Sequence, residues 1–215
     1  MRLPEIAIPL AASRRSFLWS VSLAATSAML AKASVALAAP QANANTSGQA
    51  EPTLDQTRMR ALAAWTALTF ETPNPVPYGA EIVHTKSGER LMRAANAVGP
   101  EHDPSAHAEL RTIRLACKLL NSRSLSGYTL YTTCEPCPMC MSCALWAHLD
   151  RVVYGATIAD AARFGHQIQI PAAEVAKRSD MTCVVDGPVE HDVCFALFTN
   201  PKMQKVFKLW NSERP

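Results

Sequence analysis

Residues 128–148 read YTLYTTCEPCPMCMSCALWAH, in which the pattern of a strand is followed by that of a helix with two cysteines near its start. The aromatic and β-branched residues of Tyr128–Thr132 are typical of a strand. Pro136–His148 predicts a helix, since a proline in the first turn has no intrahelical hydrogen bond to lose. Cys137 and Cys140 are three residues apart, so the helix brings both to one face near its N-terminus, where the helix dipole favours thiolate over thiol.

A second segment carries a histidine and a glutamate near the start of another predicted helix. We predict this helix from Pro104 to about Leu120, with Asp103 or Ser105 as its cap. His107 and Glu109 are two residues apart and diverge along a regular helix. Both side chains therefore face one point only if they lie near the end of the helix.

The two segments together supply the residue types of a zinc site. One histidine and two cysteines bind Zn²⁺ and leave the fourth tetrahedral position to water. Taken alone, the Cys137-x-x-Cys140 pair is also typical of a disulfide, a redox pair or half of a structural zinc site, and His-x-Glu is common by chance. A closed structural site needs a further Cys or His pair, and none lies at suitable spacing. A redox pair leaves His107 and Glu109 without a role.

The remaining pattern predicts an α/β domain at 52–215. The chain has 215 residues, of which 48% are hydrophobic, so it can bury a sizeable core. Alternation of strands and helices predicts a sheet covered by helices, in three α/β/α layers. The other predicted elements are a helix ending before Pro73, a hairpin of strands 80–85 and 89–94, strands at 151–156 and 181–186, and a C-terminal helix at 193–210.

The N-terminus has the pattern of an export signal. The sequence SRRSFL at 13–18 precedes an alanine-rich stretch that Ala-Leu-Ala closes at 36–38. Serine, threonine and lysine residues interrupt this stretch, so a cleaved signal peptide at 1–38 is favoured over a membrane anchor or a basic arm. Residues 39–51 lack periodicity and predict a flexible leader.

Removal of this signal changes the charge of the chain. The full sequence has 21 Lys and Arg against 18 Asp and Glu, a net charge of +3. The signal holds four basic residues and one acidic residue, which leaves 17 of each sign in the mature chain. A neutral domain lacks the basic field of proteins that bind nucleic acid mainly through phosphates.

The motifs resemble those of a known family. His107-Ala-Glu109 followed by Pro136-Cys137-Pro-Met-Cys140 resembles the signature of the zinc-dependent nucleobase deaminases. SRRSFL resembles the twin-arginine export signal, which implies export of the folded protein to the periplasm. The chain is similar to the cytidine-deaminase-like superfamily. Within it, the chain resembles bacterial guanine deaminases more than tRNA adenosine deaminases, and this closer resemblance lies at Ala116-Cys-Lys118, Leu130–Cys140, Trp146-Ala147 and Ala159–Ala162.

The resemblance implies a fold, a reaction and a set of site residues. The fold is a three-layer cytidine-deaminase-like one with a central mixed five-stranded sheet. The reaction is hydrolytic deamination of a small-molecule nucleobase, and conversion of guanine to xanthine is the preferred expectation. The enzyme is expected to be a homodimer in which the partner helps close the pocket. Binding of nucleic acid and stable insertion into a membrane are not expected. The implied site has one Zn²⁺ per chain on His107, Cys137 and Cys140, Glu109 as proton shuttle, Asp160 as a second acid contacting the substrate, Asn96 holding the base and Trp146 near it.

Alternatives remain at the level of function and of single residues. A nucleoside or tRNA deaminase, and a noncatalytic zinc-binding protein of the same fold, are the other functions considered. Asp160 also suits a helix N-cap, Asn96 a turn, and Trp146 the core. Enzymes of the resembled family often close the pocket with a C-terminal aromatic residue, whereas Trp210 is followed here by Asn-Ser-Glu-Arg-Pro.

The cysteines outside the predicted zinc site are odd in number. Seven cysteines minus the two ligands leave five, so at least one stays free or pairs between chains. Cys117 is expected to be a buried thiol on an apolar helix face. Cys183 with Cys194, or Cys134 with Cys143, are the pairs considered for a disulfide.

Overall fold

The computed structural model describes residues 51–212, so the predicted signal peptide and all but the last residue of the predicted leader lie outside the described residues. Its centre is a mixed five-stranded sheet of order β2-β1-β3-β4-β5, as predicted. β1 is antiparallel to both β2 and β3, whereas β3, β4 and β5 are parallel. The strands are β1 (Gly79–His84), β2 (Arg90–Ala95), β3 (Tyr128–Cys134), β4 (Arg151–Ala156) and β5 (Val184–Asp186).

Eight α-helices of the described residues cover the sheet, with a 3₁₀ turn at Leu68–Glu71 after the first. Thr53 and Gln56 form a capping box at the start of α1, where each side chain bonds the backbone N–H of the other residue. None of these helices combines the length and apolar character needed to cross a bilayer. The helices are α1 (Leu54–Ala67), α2 (Val98–Glu101), α3 (Ala108–Leu120), α4 (Pro138–Trp146), α5 (Ile158–Ala162), α6 (Ala172–Lys177), α7 (His191–Thr199) and α8 (Pro201–Ser212).

Alternation along the strands divides the core into two layers. Val83, Tyr131 and Val153 face the layer formed by α1, α7 and α8. Their neighbours on the same strands face the layer formed by α3, α4 and α6. This is the expected consequence of a two-residue period in strands that are buried on both faces. The three-layer α/β/α prediction is thereby confirmed.

The helix that carries the His-x-Glu motif begins later than predicted. Asp103 Oδ1 accepts hydrogen bonds of 2.7 Å from both the backbone N–H and the hydroxyl of Ser105. The N–H of Ala106 donates to the carbonyl of Asp103 at 3.0 Å, so these residues form a turn. Helix α3 therefore starts at Ala108 with His107 as its N-cap. The predicted start at Pro104, capped by Asp103 or Ser105, was wrong.

Three other predicted boundaries differ from the structure. The C-terminal helix is two helices, because Asn200 precedes a proline and adopts an extended backbone that ends α7. The last strand covers only Val184–Asp186, since the Met181 N–H bonds the Ser179 hydroxyl in a turn instead of a ladder. The helix predicted from Pro136 begins at Pro138 and ends at Trp146.

None of the seven cysteines forms a disulfide, and the core explains why neither considered pair does. Cys134 and Cys194 belong to the layer beneath α1, α7 and α8. Cys143 and Cys183 pack against the opposite layer. The sheet thus separates the members of both pairs. Cys117 is half-buried rather than fully buried.

Candidate metal centre and active site

The end of β3 and the start of α4 hold the two cysteine ligands. Cys137 is the N-cap of α4, with an extended backbone, and Pro138 follows in the first turn. The N–H of Met141 donates to the carbonyl of Cys137 at 2.9 Å, which closes that turn. Cys140 is fully buried, and its Sγ lies 3.6 Å from Sγ of Cys137.

His107 reaches this pair from the N-terminus of α3. Its Nδ1 lies 3.7 Å from Sγ of Cys137 and 3.5 Å from Sγ of Cys140. Around a tetrahedral Zn²⁺ with ordinary bond lengths, two sulfurs are about 3.8 Å apart and a sulfur and a nitrogen about 3.6 Å apart. The three ligand atoms therefore fit Zn²⁺ without rearrangement, and the predicted metal ligands come together as expected.

Electrostatics between the sulfurs prepare the site for a cation. The hydrogen bond between the two sulfurs lowers the pKa of Cys137 to about 4 and raises that of Cys140. Burial opposes the first shift and adds to the second. One thiolate is thus present near neutral pH, and metal binding displaces the proton of the other sulfur.

Glu109 lies in the first turn of α3 and is 6% exposed. Burial raises the pKa of this carboxyl to about 7, although the charge of His107 acts in the opposite direction. Because α3 begins at Ala108, His107 has an extended backbone while Glu109 is helical, and the divergence expected on a regular helix does not arise. The structure therefore places a proton-exchanging group beside the metal ligands.

Asp160 lies in the short helix α5 beside the same buried region. Sγ of Cys134 lies 3.8 Å from the carbonyl of Thr157, the residue at the start of α5. Burial raises the pKa of this thiol, and the nearby carboxylates, Asp160 among them, raise it further. The N-cap of α5 is Thr157, and Asp160 is the third helical residue, in a capping box with it. The alternative of Asp160 as the N-cap was wrong by three residues.

Asn96 lies in a loop beside the metal ligands. The N–H of Ala97 donates to the carbonyl of Ala106 at 2.9 Å, which holds this loop against the residue before His107. Oδ1 of Asn96 accepts from the N–H of Val98 at 3.1 Å, as a turn residue does. Within residues 51–212, no hydrogen bond uses Nδ2 of Asn96, so this donor remains available to a ligand.

Trp146 is not brought to the metal ligands within this chain. It ends α4, six residues after Cys140, which corresponds to about 9 Å along a helix. Its side chain is 73% exposed. It lines a cleft of about 650 Å³ together with Ser142, Leu145, Ile170, Pro171 and Val175. Its role near the base stays a prediction.

Glu135 has a structural role next to the site that its sequence position does not indicate. Its carboxylate is buried between two helices: Oε2 accepts from the N–H of Ile158 at 3.1 Å and Oε1 from the N–H of Ala172 at 2.9 Å. It thereby ties α5 and α6 to the end of β3, two residues before the ligand Cys137. Its place in the quoted motif is the only signal in the sequence, since its partners are 23 and 37 residues away.

Comparison with known proteins defines the family. The cytidine and deoxycytidylate deaminase zinc-binding region matches residues 53–156. The chain is 41% identical over 104 residues to the guanine deaminase of Bacillus subtilis, covering 48% of this chain and 65% of that protein. It is 37% identical over 112 residues to the tRNA-specific adenosine deaminase of Bacillus subtilis, covering 46% of this chain and 68% of that one.

A solved guanine deaminase from Nitrosomonas europaea has the same fold, with a TM-score of 0.61 at 20% identity over 72% of this chain and 84% of that one. With His107, Cys137 and Cys140 arranged for zinc, this chain belongs to the cytidine and deoxycytidylate deaminase family of zinc-binding proteins. It spans 65% of the length of the guanine deaminase relative. Relatives of both activities, guanine deaminases and tRNA adenosine deaminases, match this chain at similar identity.

Proposed function

We propose that this protein is a zinc-dependent hydrolytic deaminase that converts guanine and water to xanthine and ammonia. The observation that carries the proposal is the placement of buried Glu109 two residues from a ligand in a site where three ligand atoms lie 3.5–3.7 Å apart. Zn²⁺ with an open fourth position lowers the pKa of bound water toward neutrality. Glu109 lies two residues after the ligand His107, in the first turn of α3, where it can exchange protons with such a water.

Glu109 moves the protons of the reaction. Its carboxylate accepts a proton from the attacking water and delivers it to the ring nitrogen next to the reacting carbon. It then protonates the departing amino group, which leaves as ammonia. The three protein ligands hold their positions throughout, because His107 and Cys137 are helix N-caps and Cys140 lies in the first turn of α4.

The groups around the site favour guanine. Guanine presents an exocyclic amino donor and a carbonyl acceptor, which match the carboxylate of Asp160 and the free Nδ2 of Asn96. A site that hydrogen-bonds such groups rejects analogues without them by orders of magnitude, because its own polar atoms are left unpaired. The equal numbers of acidic and basic residues in the predicted mature chain favour a small base over tRNA.

A tRNA adenosine deaminase is the second candidate, because the relative of that activity shares 37% identity and is 68% covered. A test incubates zinc-loaded protein with guanine, adenine, adenosine, cytidine and unmodified tRNA, and follows ammonia together with the deaminated product. We expect guanine to exceed every other substrate by at least about 100-fold in kcat/KM. Inosine in tRNA without xanthine from guanine supports the second candidate, and no ammonia from any substrate supports a noncatalytic protein.

We further propose a periplasmic location and a homodimer. The location rests on the SRRSFL sequence, which resembles a twin-arginine signal. The dimer is supported by the cleft around Trp146, where an exposed aromatic residue adjoins Ile170 on the surface. Light scattering of the zinc-loaded protein and of Trp146→Ser tests the dimer, since loss of a buried aromatic contact shifts the equilibrium toward monomer.

A further inference from the structure

His191 is the first residue of α7, and its ring lies between two carboxylates. Nε2 lies 2.9 Å from Oδ2 of Asp160, and Nδ1 lies 2.9 Å from Oδ1 of Asp192. Ionised carboxylates only accept hydrogen bonds, so both contacts are hydrogen bonds at once only when both ring nitrogens carry a proton. The arrangement therefore suits an imidazolium cation.

The Asp160 carboxylate is held through one oxygen. Oδ2 accepts from the N–H of Thr157 at 3.0 Å and from its hydroxyl at 2.6 Å, in addition to His191. No described residue donates a hydrogen bond to Oδ1. The three donors on Oδ2 come from two elements, α5 and α7, so they fix the rotation of the carboxylate and leave Oδ1 for a ligand.

Packing fixes the His191 ring as well. The ring of Phe195 stacks on it at 5.7 Å between centroids, with 9° between the planes. The guanidinium of Arg163 lies 5.0 Å from the centroid of Phe195. The carboxylate of the preceding residue, Glu190, forms an ion pair with Arg60 of α1, with 2.8 Å between Oε2 and Nε. The ring is thus confined by an aromatic face and by ion pairs on either side.

The surrounding charges hold the proton on His191. The N-terminal end of a helix disfavours a cation, so the two carboxylates and not the α7 dipole stabilise the charge. The hydrogen bonds that the ring donates to Asp192 and to Asp160 raise the pKa of His191. Burial opposes ionisation of Asp160, but its hydrogen bonds to Thr157 and His191 outweigh burial and lower its pKa.

We propose that His191 is the positioning residue of Asp160, holding Oδ2 so that Oδ1 is free to accept a hydrogen bond from the amino group of the bound base. The inference rests on the proposed function, because Asp160 has an amino group to contact only if the site binds an amino-purine. His191 itself does not contact substrate. It acts through the orientation and ionisation of one carboxylate.

A double-mutant cycle tests this role. We expect His191→Ala to lower kcat/KM for guanine by about tenfold, and His191→Gln, which keeps a neutral donor, to recover part of that loss. If His191 acts through Asp160, then Asp160→Ala with His191→Ala is no slower than Asp160→Ala alone. His148→Asn, at an exposed histidine in the connection between α4 and β4, is the matched control and keeps wild-type turnover.

Titration of the histidine rings by NMR gives a readout that does not depend on turnover. In the zinc-loaded wild type, His191 is expected to titrate above the ordinary histidine value, and both Asp160→Asn and Asp192→Asn lower its midpoint. A histidine that is not paired with these carboxylates in solution shows the same midpoint in all three proteins. Zinc content is measured in each variant and is expected to be unchanged.

The outcomes separate this inference from the proposed function. Additive losses in the double mutant, or a His191 midpoint unchanged by Asp160→Asn, overturn the positioning role while guanine turnover by the wild type still stands. A wild type that turns over adenosine in tRNA but not guanine overturns the proposed function and this role with it. Coupled losses with a shifted midpoint support both.

Discussion

The N–H of Ala172 donates a 2.9 Å hydrogen bond to Oε1 of Glu135, so a carboxylate next to the metal ligands caps a helix 37 residues further along the chain. Its second oxygen holds the N–H of Ile158 in the same way at 3.1 Å. The two bonds anchor the segment that carries Asp160 to the end of β3. The two cysteine ligands and the proposed substrate contact are thereby held at the end of the same strand.

We expect Glu135→Ala to destabilise the protein by about 3 kcal/mol, because two buried N–H groups lose charge-assisted hydrogen bonds. The measurement is urea unfolding of the zinc-loaded protein. Glu174→Ala is the control, since its pair with Arg178 is exposed and one turn apart on a helix. Equal effects of the two substitutions would contradict the anchoring role.

Removal of a cysteine ligand should remove the metal. Cys137→Ala and Cys140→Ala each take one of three protein ligands, so we expect zinc, measured by plasma mass spectrometry, to fall well below one per chain. Cys143→Ala lies one turn later on the same helix and packs against the apolar layer, so it should retain zinc. Full zinc content in both ligand variants would refute the assigned site.

The free energy of unfolding should depend on pH through the carboxyl group of Asp55. Arg151 donates to both oxygens of Asp55, at 3.0 and 2.7 Å, and this pair lowers the pKa of that carboxyl. A lowered carboxyl pKa stabilises the fold above the unfolded value of about 3.9, and the contribution disappears as the pH falls through the folded value.

Asp55→Asn should therefore cost about 1 kcal/mol at pH 7, after allowance for solvent screening, and progressively less as the pH falls through the folded pKa of Asp55. Urea unfolding across this range checks the difference, with the exposed Asp180→Asn as control. A cost that stays constant down to the lowest pH would show that the ion pair does not couple to folding.

Export should depend on the two arginines. Arg14→Lys with Arg15→Lys keeps the charge but removes the arginine pair that resembles the twin-arginine signal. We expect the unprocessed precursor to accumulate in the cytoplasm of a bacterial host, detected by fractionation and immunoblotting. Normal export of the double variant would exclude this route.

The sequence predicted what is local in the chain. The strand and helix of residues 128–148, the hairpin and the three metal ligands follow from residue type and short spacing. The geometry of the zinc ligands does not follow from residue type and spacing. It depends on the turn at Asp103, which delays the start of α3 until Ala108 and makes His107 its N-cap.

Contacts between distant segments could not be predicted from a single sequence. Glu135 reads as one residue in a motif, and its capping of α5 and α6 arises only when β3 and β4 lie side by side. His191 likewise reads as a surface histidine until the fold places α7 against Asp160, 31 residues earlier. The contacts of Glu135 and of His191 are set by how distant segments pack together, and not by residue type.

The most direct test of the proposed activity compares the wild type with Glu109→Gln at equal zinc content. Guanine is incubated with each protein, and xanthine and ammonia are quantified over time. We predict equal amounts of the two products from the wild type and a rate at least about 100-fold lower from the variant, since the proton shuttle is lost while the ligands remain. Absence of xanthine from the zinc-loaded wild type, or undiminished turnover by Glu109→Gln, would contradict the account.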